Sequence, residues 1–312
     1  MTKVQLAHHI QYEYDEDERN ELLEDISKFH QLSYEYIESK PLSVSIGGYE
    51  DAFSFLGKMN YMNWDKQQTI WMLQEAWELL EVHYQIALHP GEQVMCQYAG
   101  LLFEAEGKIT RASNSLWSWI DAMSIAMILR QSDLLNVLLA FDESFLDIDD
   151  GAQCADPTHR FEKALLALYK GLFTPKADIA TLLRDVAEKS APEYIGDKYA
   201  QNFVYGFYLP LIPLIEAMYR SDRETAYPKA LLRALEAHKN QANFEASEEE
   251  YFVSDHKWDS KTWVSLPITG LAALAYQRWK LEPNVETKYL PQWWVTGESI
   301  PKKRLFINEV FK

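Results

Sequence analysis

Asp147, Asp149 and Asp150, followed by Gly151, alternate in the manner of a calcium-binding loop. The register fails, because an EF-hand needs its glycine at the sixth position and a closing glutamate at the twelfth, and neither stands there. The histidines form no HExxH pair and have no cysteine partners at zinc-finger intervals. His83 and His238 fall within helical patterns and read as ordinary helix histidines, while His8 and His9 sit beside a terminus read as mobile. No GxSxG elbow, Walker loop or GxGxxG occurs, and Gly107-Lys108 is an isolated turn. Carboxylate pairs are plentiful, but in so acidic a chain they arise by chance. Nothing in the sequence marks one pair as buried and poised for proton transfer. No catalytic residue, metal site or cofactor is expected.

What remains as candidate chemistry is recognition by charge. One acidic cluster is Glu13, Asp15, Glu16, Asp17 and Glu18. A second is Asp142, Glu143, Asp147, Asp149 and Asp150, with no compensating base before Arg160. A third holds Glu245, Glu248, Glu249, Glu250, Asp255 and Asp259, with Tyr251, Phe252 and Trp258 interleaved. Charge runs of this kind are solvated surface or an electrostatic lure. Aromatics among the carboxylates of the third cluster are either interface anchors or core residues of a loop. The residues expected to touch a partner are Asp142, Glu143, Asp147, Asp149, Asp150, Glu248, Glu249, Glu250, Tyr251, Asp255 and Trp258.

The whole composition sets the class of partner. A net charge of -17 argues against nucleic acid, whose phosphates demand clustered Lys and Arg. It argues equally against an anionic membrane surface. It suits a basic protein, whose approach a negative field accelerates, or it serves solubility alone. Cys96 and Cys154 are too few for a disulfide framework. Met1 to Tyr14 lacks an apolar signal core, and no run reaches the ~18 apolar residues of a membrane span, so a cytoplasmic location is expected.

The elements that must position these residues are helical. Leu22, Ile26, Phe29, Leu32 and Tyr36 recur at helical spacing, as do Ile70, Leu73, Trp77, Leu80, Tyr84 and Ala87 after the N-cap Asp65. Val94, Tyr98, Leu101 and Ala105 extend the pattern. Leu116, Ile120, Met123 and Met127, with Trp117, Trp119, Ile125 and Ile128 on the other faces, predict a central helix apolar nearly all round. Leu134, Leu138 and Phe141 form a shorter one. Asp156-Pro157, Thr174-Pro175, a capping box at Ser221 to Glu224, and Pro267 are read as helix starts. Pro210 and Pro213 predict a break. Leu42, Val44 and Ile46 alternate before Gly47-Gly48 and suggest a short strand or an extended linker, with Arg304 to Phe311 as the best available strand partner. The fold class is therefore all-α: stacked antiparallel helix hairpins forming one helical body, with at most one minor short β segment.

Three pieces of this pattern resemble a known family. Ser118-Trp119-Ile120-Asp121-Ala122, leading through Ala126-Met127-Ile128-Leu129-Arg130 to Asp133-Leu134-Leu135, is similar to the central helices of the immunity 49 family of bacterial polymorphic-toxin systems. Ser265 to Tyr276 resembles its C-terminal helix, and Val285 to Pro291 its exit. The likeness runs from about Trp64 to Pro291, and residues 1–60 are taken as an N-terminal helical segment beside a family-like domain at 61–312, the two read as parts of one continuous unit. The family often has a small residue and then glycine after the C-terminal helix, where this chain has Arg278-Trp279-Lys280. The resemblance implies an all-α protein that protects its cell from a toxin encoded nearby, and it supplies no catalytic residue. With the charge, it points to stoichiometric occlusion of a basic, nuclease-like toxin domain and not to an enzyme. The rival readings are a helical-repeat scaffold holding a peptide in a groove and an enzyme with an unrecognised carboxylate site. The oligomeric state is left open.

Overall fold

Buried apolar residues recur every three or four positions through most of the chain. Most of those stretches are helices in the computed structural model, which describes residues 3–109, 115–149, 152–153, 159–196, 198–244, 256–298, 300–301 and 303–311. A short strand, β1 (Val4–Gln5), precedes three long helices, α1 (Glu16–Tyr36), α2 (Pro41–Tyr61) and α3 (Lys66–Ala87). Each start has a local cause. Asp15 and Glu18 form a reciprocal capping box, Pro41 occupies the first turn of α2, and Asp65 accepts from the backbone N–H groups of Gln67 and Gln68. Leu42, Val44 and Ile46 are therefore in a helix and not in a strand or linker. Alternation over so few residues does not outweigh a preset Pro φ and a long face packed on α3.

The segment read as a helix through Val94, Tyr98, Leu101 and Ala105 is instead an antiparallel hairpin, β2 (Gln93–Tyr98) and β3 (Leu101–Glu106). Val94, Cys96, Tyr98, Phe103 and Ala105 point inward, a period of two. Ala99 and Gly100 both have positive φ, as a tight two-residue hairpin turn requires. α4 (Leu116–Leu129) follows, capped by Ser115 and buried on nearly every face, then α5 (Ser132–Leu139), a 3-10 turn at Glu143–Asp147, and the short antiparallel pair β4 (Ile148–Asp149) and β5 (Ala152–Gln153).

The second half is α6 (His159–Gly171), α7 (Ile179–Glu188), α8 (Lys198–Phe207), α9 (Leu211–Tyr219) and α10 (Arg223–Ala242). The apolar run breaks as expected between α8 and α9, at Pro210, while Pro213 lies in the first turn of α9. Two predicted starts move. Thr174-Pro175 lies in a turn, and Asp178 caps α7 through the Thr181 N–H. Asp222 makes no side-chain cap, because its carboxylate accepts from Nε and Nη2 of the Arg220 guanidinium at 2.7 and 2.9 Å. The predicted start at Asp156-Pro157 lies outside the described residues.

A 3-10 turn at Ser260–Trp263 precedes α11 (Leu266–Trp279), β6 (Val285–Glu286), α12 (Gln292–Thr296) and α13 (Ile307–Val310). α11 lies along α4 so closely that a Cβ on Gly270 would stand 2.7 Å from the Ser124 Cα. The fold is all-α, with three two-stranded pairs among the described residues where the sequence suggested one short segment. The tail is not a strand: β6 pairs in parallel with β1. Nor is the N-terminal histidine pair loose. His8 is buried and donates from Nε2 to the Trp263 carbonyl at 3.1 Å, and burial brings its pKa down to about 3.

The end of α11 explains the unusual Arg278-Trp279-Lys280. Lys280 itself takes the left-handed conformation, φ 58°, that glycine fills most easily. Lys280→Gly is expected to stabilise the fold by up to about 1 kcal/mol, read as a rise in thermal midpoint. A fall would show that the Lys280 ammonium over the Tyr276 ring outweighs the backbone strain.

Candidate functional site

The acidic residues singled out by sequence meet different fates. In the second cluster, Asp142 accepts from the Ser144 N–H at 2.9 Å, and Asp147 pairs with Lys163 and with His159. Glu143 is exposed. Asp149 belongs to β4, and Asp150 lies outside the described residues. In the third cluster Glu248, Glu249, Glu250, Tyr251 and Asp255 also lie outside them, while Trp258 is 60% exposed beneath the Lys257 ammonium. In the first cluster, Asp15 and Glu18 are spent on capping α1.

A different feature emerges from the packing. The middle of α2, the start of α4, the end of α8, His238 of α10 and the Ser260–Trp263 turn enclose a cavity of about 450 Å³, which also meets the first residues of α11. The close approach of the turn to α2 depends on Gly57, whose Cβ would fall 1.8 Å from the Ser260 carbonyl oxygen. The walls are aromatic: Trp117 packs 4.2 Å from Tyr208 and 5.8 Å from Phe203, centroid to centroid. Tyr49 donates to the Ser118 hydroxyl at 2.8 Å, and His238 donates from Nε2 to the Thr262 carbonyl at 2.8 Å. Burial brings His238 down to about 4, so at neutral pH it carries no charge.

Asp121 lines this cavity, and no hydrogen bond satisfies its carboxyl among the described residues. Burial raises its pKa to about 7, opposed by Lys261. That ammonium stands 3.9 Å from the Glu50 carboxylate across the same opening. A recessed carboxyl amid aromatic faces can take up a proton or receive a cation. The sequence carried a signal for it: Asp121 is the lone ionisable side chain in the run Leu116–Leu129, where the other polar residues are Ser118 and Ser124. The aromatic walls were out of reach, because Phe203 and Tyr208 come from distant chain segments.

Fold and site together define an acidic, all-α protein with an aromatic cavity and a recessed carboxyl. A profile of the Immunity protein 49 family matches residues 66–294, most of the chain, and the protein belongs to that family of immunity proteins. No curated protein and no solved structure matches it. No helix among the described residues is long and apolar enough to cross a membrane.

Proposed function

We propose that this protein neutralises a cognate toxin by stoichiometric binding in the cytoplasm, as an inhibitor and not a catalyst, and that the partner is a basic, nuclease-like domain. The family match carries the reading. The charge of -17 supports a basic protein partner over nucleic acid or an anionic membrane. The surface of α1 adds to it: Glu21, Glu24, Asp25 and Glu35 are exposed there, as are Leu32, Tyr34 and Tyr36, so charge and desolvatable apolar area lie together. Met95 and Leu102 extend exposed apolar surface onto the outer face of the β2–β3 hairpin, beside Glu104 and Glu106.

Co-expression with the toxin encoded beside it tests the reading: growth is rescued and the two proteins co-purify. Cells that die equally with or without this protein would end it. The acidic clusters give a finer prediction. Neutralising Glu143, Glu248, Glu249 and Glu250 to Gln, with Asp255→Asn, is expected to slow association about tenfold at low salt and flatten its salt dependence. Asp142 and Asp147 are left intact in that variant because they hold local structure. Tyr251→Ala with Trp258→Ala should instead raise the dissociation rate. Unchanged association across the salt series removes these clusters from the interface.

A further inference from the structure

The cavity between α2, α4, α8 and the Ser260–Trp263 turn has the properties of a receptor for one particular kind of group. Its carboxyl, Asp121, is without a hydrogen-bond partner among the described residues and stands half-buried in the cavity wall. A carboxyl in such a recess gives up part of its hydration and gains no hydrogen bond from the walls in return, so a cationic donor supplies what the fold does not. Lys261 is close enough to be felt but sits within 3.9 Å of Glu50. The surrounding faces are the π systems of Trp117, Phe203 and Tyr208, which attract a cation and give an anion nothing. A metal ion is a poor fit, since no group of three or more His, Cys, Asp or Glu side chains able to hold one occurs among the described residues. About 450 Å³ is too large for a water or a simple ion and accommodates an alkyl stem with a planar head.

We infer that this cavity receives an alkylguanidinium group, an arginine side chain projected by the bound toxin, with the Asp121 carboxylate taking the guanidinium N–H groups and the aromatic wall taking its face. Guanidinium is preferred to ammonium because it is weakly hydrated, stacks on rings and pairs with a carboxylate through two parallel hydrogen bonds. The inference rests on the immunity reading for the source of the arginine, but the chemistry of the cavity is testable without a toxin.

The first arm titrates purified protein with N-acetyl-arginine amide and follows heat and the Trp117 indole resonance. Saturable binding at about millimolar concentration is expected. Affinity should fall at least tenfold in Asp121→Asn and in Ser118→Trp, which fills the cavity, and the neutral N-acetyl-citrulline amide should not compete. Equal binding of the citrulline probe, or of the arginine probe to Asp121→Asn, overturns the inference, as does no saturable binding. The second arm measures toxin affinity. Asp121→Asn should weaken it at least tenfold while circular dichroism shows an intact fold. If the wild-type protein protects cells and Asp121→Asn binds the toxin equally well, the arginine does not come from the toxin and the inference falls while the immunity reading stands. If the wild-type protein gives no protection, the immunity reading fails whatever the probes do.

Discussion

Arg304→Ala is expected to lose about 3–5 kcal/mol of unfolding free energy. Arg304 comes from the C-terminal tail and places its guanidinium between two carboxylates of α3, Glu75 and Glu78, contacting Glu78 at 2.8 Å through Nε. The side chains are 13%, 0% and 10% exposed, so removing the cation strands two negative charges where water cannot replace it. Burial alone would raise Glu75, but His30, Arg304 and Tyr98 overcome it and hold the carboxyl below its usual range. That part of the stability is present above the unfolded carboxylate range and fades as pH falls through the lowered native value. The tail is also tied to Gln74, which donates to the Lys303 carbonyl at 3.1 Å and accepts from the Leu305 N–H at 2.8 Å. Urea denaturation reads the loss. A change below about 1 kcal/mol would mean that the carboxylates reach solvent or take up protons readily. Arg304→Met combined with Glu75→Met and Glu78→Met should recover most of it, because a buried pair is worth far less than the cost of breaking it.

The same network marks the limit of what the sequence discloses. α3 and α11 were legible because long periodic runs begin at strong local signals, Asp65 and Pro267, and α4 because its run is apolar on nearly every face. The β2–β3 hairpin was misread because Val94, Tyr98, Leu101 and Ala105 satisfy a helical spacing as well as an extended one, and Ala99 is not a residue that announces a turn. α2 was missed because two glycines and a brief alternation obscure a helix whose stability comes from α3, a tertiary cause. Arg304 lies 226 residues from Glu78 in sequence, and no local pattern joins them. The cavity follows the same rule, since only the α4 contribution, a charge inside an apolar helix, could be picked out beforehand. The acidic clusters show the converse: conspicuous charges at Asp15, Asp142 and Asp147 serve caps and ion pairs.

Asp121→Asn should make the protein more stable, by an amount set by pH. The folded chain holds the Asp121 proton until about pH 7, whereas the unfolded chain releases it near 3.8. A native value raised above the unfolded one favours the fold while the group is protonated in both states. This advantage is lost as pH climbs between the two values and stays lost above the native one. Asparagine has no proton to lose, so its gain over wild type should be small near pH 4. It should grow by up to about 1.4 kcal/mol per pH unit on the way to neutrality and level off above pH 7 at no more than about 4 kcal/mol. Lys261, Glu50, Asp259, His238 and His256 face the same cavity, but they are common to both proteins and drop out of the difference to first order. Denaturation of the pair at pH 5, 6, 7 and 8 measures the curve. A difference independent of pH would mean that the carboxyl ionises in the native state as freely as in water, through hydration of the cavity. A rising curve, joined to loss of arginine-probe binding in the same variant, has a specific physical meaning: the fold keeps an unstable group because a cation from outside completes it, the trade between stability and function that binding sites show.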